Sequence, residues 1–292
     1  MGALGMGRVA VLLAAALVLV GATACGERSE PKSATVRLYP VTVTSAADRP
    51  LVVRRAAKRI AVLATRPREI LRALGASRRV TGMPVDLSGA IELAKLKRMR
   101  PDLIVADDQA DEVQLSRAEE ATHAPVYLAP GDSIREIQQA ITSLGLVADE
   151  PVAARRLVHS IEVKRALVAS KLAHARQVSV FFDTGLFLTV SDQSLVGDLL
   201  REARGHNVAG PSPGSEPFDL GQLAAANPRL YLTTSDSGTT LRDLRHNPQT
   251  RKLTAVQKKR FAVVDAALLE PGPRIGDGLV AIARLLHPDA FR

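Results

Sequence analysis

Few residues of this chain have the type and spacing to carry a reaction. His123, His159, His174, His206, His246 and His287 show no His-x-x-x-His pair and no acid at a ligand spacing, which argues against a bare zinc or manganese site. His246 near Pro248 and His287 before Pro288 read as structural. Gly272 and the run Gly276-Asp277-Gly278 lack the strand, Gly-x-Gly-x-x-Gly, helix order of a nucleotide cradle. No nucleophile stands near a base, so hydrolysis and group transfer have no carrier. The expectation is a non-enzymatic protein with no resident metal and no cofactor. Binding chemistry is left, and Arg66 is its leading charged group, because a guanidinium meets a carboxylate or catecholate through two parallel hydrogen bonds. The alternative for Arg66 is a solvated loop arginine.

A binding cleft needs elements to hold it. Residues 149–177 read as one helix: Asp149 is placed to accept backbone N–H groups, Pro151 sits where its missing N–H costs nothing, and no Gly or Pro follows until Gly185. From Pro151 to Arg176 such a helix runs roughly 39 Å, longer than a small domain is wide. Ala154, Leu157, Ile161, Val168, Leu172 and Ala175 recur at helical spacing, and charged residues such as Arg155, Glu162, Lys164 and Arg165 cover the rest. On both sides, short apolar strands alternate with helical segments. The architecture expected is two Rossmann-like α/β lobes joined by a single long helix, with a ligand cleft between them; the alternative is a long helix inside one α/β domain. The divisions are 1–24, 25–34, 35–148, 149–177 and 178–292.

The first division is a secretory signal, with Arg8 ahead of an uncharged apolar run from Val9 to Val20. Cys25, the only cysteine, follows Ala22-Thr23-Ala24, a box that resembles the lipobox of bacterial lipoproteins with Ala22 in place of leucine. That resemblance implies lipidation of Cys25; the same three residues also suit an ordinary A-x-A peptidase site. Residues 26–33 are polar, of mixed charge, and read as a flexible tether. With 46% apolar residues, the exported part can fill two ordinary cores without disulfides. The net charge of +9 would suggest nucleic acid in a cytosolic protein, but the cations are scattered and the chain is exported.

Within the first lobe, residues 35–53 form two alternating runs around Ser45-Ala46-Ala47-Asp48, a β-hairpin pattern. A strand at 60–63, a helix to Leu74 stopped by Gly75, and a strand at Val80 follow. Thr65, Pro67, Glu69-Ile70-Leu71 and Ala73-Leu74-Gly75, then Pro101-Asp102-Leu103-Ile104, resemble the ferric-siderophore and cobalamin substrate-binding proteins of ABC importers, the class with a helical spine. A helix over 133–144 ends at Gly145. Past the spine, strands are expected at 178–182 and 187–190, and Asp198-Leu199-Leu200 with Gly205-His206-Asn207-Val208 align with the family's next helix and strand. Pro271-Gly272-Pro273-Arg274 and Leu285-Leu286-His287-Pro288 match its closing motif nearly letter for letter. The resemblance covers about residues 36–288 and implies an extracytoplasmic ABC-importer component anchored to the outer face of a bacterial cytoplasmic membrane.

Ligands of two-lobe proteins sit at loops following strand ends. This places Thr65, Arg66, Pro84, Asp107 and Asp108 on one wall of the cleft, and Asp183, Phe187, Ser235, Asp236, Leu269 and Glu270 on the other. Arg274, in the closing motif, is expected mainly to brace the loop. With no Trp, three Tyr and six Phe, a stacking cage for a corrin or haem would rest on Phe187 or Phe218, so an anionic metal chelate, an iron(III) complex of the siderophore type, is preferred, with cobalamin and haem left open. The family docks on its permease through two glutamates. Their positions hold Ala94 and His206 here, leaving Glu92 and Glu202 as neighbouring acids for permease and ATPase partners, or else an orphan sensor or scaffold that keeps the fold without docking. No nucleic-acid partner is expected.

Overall fold

The computed structural model describes residues 39–292 apart from 47, 48, 213 and 215, which together form one compact unit. Cys25 and the secretory segment lie outside the described residues. A two-stranded antiparallel hairpin, β1 (Val41–Thr44) and β2 (Pro50–Val53), leads the chain as expected. Then come β3 (Ile60–Val62), α1 (Thr65–Ala73), β4 (Val80–Gly82), α2 (Leu93–Met99), β5 (Leu103–Asp107), α3 (Glu112–Thr122), β6 (Val126–Ala129) and α4 (Ile134–Val147). The spine α5 (Pro151–Lys171) is followed by β7 (Val178–Asp183), α6 (Leu195–Glu202), β8 (Gly205–Asn207), α7 (Leu220–Ala226) and β9 (Leu230–Thr234). The chain ends with α8 (Leu241–His246), α9 (Thr254–Gln257), β10 (Phe261–Val264) and α10 (Ile275–Leu286).

Each lobe is built on its own four-stranded parallel sheet, in the order β4-β3-β5-β6 before the spine and β10-β9-β7-β8 after it. Strands covered by helices on both faces must be apolar along their whole length, and Ile60, Ala61 and Val62 in β3 and Val180, Phe181 and Phe182 in β7 are all fully buried. All eight strands therefore point their carboxyl ends toward loops that are free to carry function. Among the described residues, no helix is long and apolar enough to cross a membrane.

The spine is shorter than its sequence suggests. It begins at Pro151 as expected, but Asp149 does not cap it. Asp149 sits at φ +59° and donates its N–H to Leu146 while Glu150 donates to Gly145, so these residues are used to terminate α4. At its other end α5 stops at Lys171, about 31 Å from its start. Leu172 is buried as the C-cap, and residues 173–177 turn the chain back toward β7. Ala154, Ile161 and Val168 form the buried stripe of the helix.

Two other expectations are corrected. Gly145 does not end α4, which runs on to Val147; it lies inside the helix, where a Cβ would collide with the Cβ of Ala154 on the spine. The absent side chain permits the close α4–α5 crossing. Residues 187–190 form no strand. Instead Leu188 donates its N–H to Gly185 at 2.9 Å and closes a tight turn directly after β7.

Candidate functional site: an inter-lobe cavity

The helix α1 begins directly after β3, so its first residues stand at the carboxyl edge of the first sheet. Across from them, residues 267–274 leave β10 and lead into α10 at the same edge of the second sheet. Between these walls, with Leu157 and Lys164 of the spine as floor, lies a cavity of about 710 Å³. Thr65, Arg66, Glu69, Arg72 and Ala73 supply the first wall, and Ala267, Glu270 to Arg274 and Asp277 the second.

The charges around this cavity are largely paired within the protein. Arg66 meets Asp108 at 3.1 Å, with both side chains more than four-fifths buried. Arg72 meets Glu69 at 3.1 Å, and Lys164 reaches Asp277 at 2.7 Å across the join of spine and second lobe. Arg274 donates to the carbonyl of Ala267 at 3.1 Å, bracing the loop as its motif implied. Glu270 is exposed. Four cations thus stand with four carboxylates, counting Asp108 behind Arg66. Apolar surface comes from Ala73, Leu157, Ala267, Pro271 and Pro273.

Arg66 is held from two further sides. It lies over Gly131, where a Cβ would collide with the guanidinium, and Asp132 is close enough to feel its charge. The carboxylates of Asp108, Asp132 and Glu136 lie within 4.8 Å of one another. Burial raises the pKa of Asp132 and the negative charge of Asp108 raises it further, opposed by Arg66. Asp108 already receives the guanidinium, and Glu136 accepts the Asp132 N–H at 2.7 Å. This carboxylate cluster, which histidine spacing could not reveal, joins the loop after β5 to the loop before α4 and the first turn of that helix.

Of the residues expected in the cleft, Thr65, Arg66, Glu270 and Arg274 meet in this one cavity. Leu269 is buried in the hydrophobic core. Asp107 ends β5, and Pro84 is buried with its carbonyl accepting the Glu92 N–H at 2.8 Å. Ser235 and Asp236 are exposed after β9, where Ser235 Oγ accepts from the Ala266 N–H at 3.1 Å. Asp183 is fully buried and accepts from Tyr231 at 2.8 Å, Thr239 at 2.7 Å and the Gly185 N–H at 2.9 Å. Its charge, after burial, raises the Tyr231 pKa. Phe187 packs on the second lobe's aromatic cluster with Phe181, Phe218 and Tyr231. Glu69, Arg72, Leu157, Lys164 and Asp277 line the cavity without having been expected there. Glu69 and Arg72 lie three apart on one helix face and Leu157 and Lys164 seven apart on another, a signal that points to shared faces but not to what they face.

At the expected docking positions, Ala94 is exposed on α2 and His206 exposed on β8. Glu92 caps α2 by position and pairs with Lys95 at 2.8 Å. Glu202 accepts from Nε and Nη2 of Arg165, at 3.0 and 2.7 Å.

Two lobes on parallel sheets, a single connecting helix and a cavity between the lobes define the two-lobe architecture of a binding protein. The family model for periplasmic binding proteins matches residues 83–268, and the chain belongs to that family. A Bacillus subtilis (strain 168) relative described as an uncharacterized ABC transporter substrate-binding lipoprotein, YvrC, is 22% identical over 97% of each chain. Among solved structures, Haemophilus influenzae MolA bound to molybdate superposes with a TM-score of 0.73 at 17% identity, covering 86% of this chain and 92% of that one. Helicobacter pylori CeuE with Ni(II) bound gives 0.70 at 16% identity, covering 86% and 90%. The haem-binding RhuT from Roseiflexus sp. RS-1 gives 0.65 at 19% identity, covering 80% and 100%.

Proposed function

We propose that this chain is the extracytoplasmic substrate-binding lipoprotein of an ABC importer, tethered through a lipidated Cys25 to the outer face of the cytoplasmic membrane and carrying an iron(III) chelate of the siderophore type. One observation carries the reading: a cavity of about 710 Å³ lies between the lobes, on the spine, within the size range of organic-ligand pockets. A bare oxyanion or metal ion would fill only a small part of it. The pairing of Arg66, Arg72 and Lys164 with carboxylates leaves little uncompensated positive charge. A chelate of low net charge, such as a ferric trihydroxamate, suits that wall better than a highly anionic one. Cobalamin and haem are the alternatives within the same cavity, and neither finds a tryptophan to stack on.

The test is thermal unfolding of the exported protein with saturating ferrichrome, a ferric tris-catecholate, hemin or cyanocobalamin. Binding to the folded state alone raises stability by about 2.7 kcal/mol at a hundredfold excess over Kd. Ferrichrome is expected to give the largest rise; no rise with any of the four overturns the reading. A second reading, an orphan sensor or scaffold, is favoured by the exposed Ala94 and His206 at the docking positions and by the engagement of Glu202 with Arg165. Failure of the ligand-loaded protein to stimulate the ATPase of a permease complex encoded beside it would favour that reading.

A further inference from the structure

Cations that are scattered along the sequence are gathered by the fold. Three neighbouring strands of the first sheet, in the order β4-β3-β5, each start just after basic residues: Arg78-Arg79 before β4, Lys58-Arg59 before β3 and Arg100 before β5. Parallel strands start at one edge of their sheet, so these residues share its amino edge, and Arg98 in the last turn of α2 joins them. Hydrogen bonds knit this edge together. The Arg59 side chain donates to the carbonyls of Met99 and Arg100, Arg79 donates to the Ala57 carbonyl at 2.8 Å, and the Asp102 carboxylate accepts the backbone N–H groups of Lys58 and Arg59, each at 2.9 Å. Arg54 and Arg55 line a hollow of about 180 Å³ with Asp102 and Pro125, which puts them on the same edge. Arg54, Arg55, Lys58, Arg78, Arg98 and Arg100 are all exposed, and among the described residues none of the six side chains is in an ion pair. Asp102 is the one carboxylate of segments 54–59, 78–79 and 97–102, and backbone N–H groups already occupy it. Like charges crowded on one edge repel, and a partner of opposite charge relieves that repulsion.

The chain also enters the described fold at this edge. Val41 pairs with Val53, so Tyr39 and Pro40 lie beside Arg54 and Arg55. The Tyr39 hydroxyl donates to the Leu146 carbonyl at 2.6 Å, with Asp149 and Arg79 near enough to act on it. Residues 26–38 separate this point from Cys25 and can span no more than roughly 45 Å. A chain anchored by lipid at Cys25 therefore keeps its basic edge within reach of phospholipid headgroups, and anionic lipid attracts each Lys or Arg that comes within a Debye length. The ligand cavity lies at the opposite, carboxyl edge of the same sheet. We propose that the amino edge of the first lobe is a docking surface for anionic phospholipid, which seats the protein on the bilayer with its cavity facing away. The proposal takes its occupant from the tether at Cys25 and is independent of which ligand the cavity holds.

Vesicle sedimentation tests it on exported Cys25→Ala protein, which cannot be acylated and so reads the surface apart from the anchor. This protein should bind phosphatidylcholine vesicles containing about 30% phosphatidylglycerol, lose most of that binding between about 0.05 and 0.3 M salt, and leave pure phosphatidylcholine vesicles unbound. In the same background, Arg54→Gln with Arg55→Gln and Lys58→Gln should lower partitioning roughly a hundredfold, and Arg78→Gln with Arg98→Gln roughly twentyfold. Taking three exposed cations from the second lobe instead, by Arg242→Gln, Arg245→Gln and Lys252→Gln, should change it less than about threefold. Partitioning of either edge variant within about twofold of the unsubstituted edge overturns the proposal. An equal loss in the second-lobe control also overturns it, because net charge alone would then carry the binding. So does failure to bind anionic vesicles at the lower salt, and capture of a short DNA duplex without vesicle binding would assign the edge to a different polyanion. Stabilisation by ferrichrome should be the same in all these variants, so a negative vesicle result leaves the proposed ligand standing. Wild-type protein recovered from the medium rejects the anchor and this occupant together.

Discussion

Asp198 on α6 accepts the backbone N–H of Ile134, the first residue of α4, at 2.9 Å, so a carboxylate of the second lobe caps a helix of the first. Asp198 is only 8% exposed and also receives the Arg201 guanidinium. The bond joins the lobes without passing through the spine, and it places negative charge at a helix N-terminus, where it is favoured. Asp198→Ala should destabilise the protein by about 1–3 kcal/mol, since the Ile134 N–H loses its acceptor in a buried place. Asp198→Asn keeps an oxygen there and should lose less than half as much. Urea unfolding midpoints at constant slope would measure both.

Gly145 sets two effects of opposite sign against each other. As a mid-helix residue of α4, its replacement by alanine should gain about 1 kcal/mol of helix propensity. The added Cβ would collide with Ala154 of α5, and overpacking a close helix crossing costs about 1–3 kcal/mol. Packing should win: Gly145→Ala is expected to lower stability, and Gly145→Val to lower it more. A calorimetric melt of each variant decides, and a stabilised Gly145→Ala would show that α4 and α5 can separate freely.

These two contacts also show what the sequence could and could not convey. Both lobes, the hairpin and the spine are written in local pattern: apolar strands, helix caps and a Pro at the start of a long charged helix. Gly145 reads as a helix stop for the same reason, because glycine is a local terminator unless a neighbour 9 residues further on needs the space, as Ala154 does. The misplaced strand at 187–190 has the same origin, since apolar residues suit a strand and nothing local reveals that Leu188 bonds back to Gly185. In the site, Thr65, Arg66, Glu270 and Arg274 follow from strand ends and the closing motif. Lys164 and Asp277 meet only because α5 packs on α10, a long-range relation that no window of sequence contains.

Glu202 and Arg165 join α6 to the spine, and Arg165 also reaches Glu162 at 3.0 Å, which in turn accepts from Gln138 of α4 at 2.5 Å. The chain of contacts links both lobes through one guanidinium. A double-mutant cycle with Glu202→Gln and Arg165→Met should give a coupling of about 1 kcal/mol, since the pair is bidentate and about a quarter to a third exposed. Raising the salt to about 0.5 M should reduce it. Zero coupling at low salt would leave Glu202 free for contacts with a partner.

His287 closes the α10 end of the fold with its Nε2 3.1 Å from the Ala203 carbonyl, to which the Nε2–H tautomer donates. Burial lowers its pKa and the charge of Arg204 lowers it further, against the opposing pull of backbone carbonyls that would welcome a proton. A histidine with a depressed folded pKa binds fewer protons folded than unfolded, so stability rises with pH between the two values. Its contribution is complete above the ordinary histidine value of about 6.5 and is lost as pH falls through the lower folded value. Unfolding free energies measured from pH 7.5 down to pH 5 should therefore decline more steeply for the parent protein than for His287→Gln, which cannot take up the proton. Parallel curves would show that His287 titrates alike in both states and that its hydrogen bond to Ala203 carries no pH dependence.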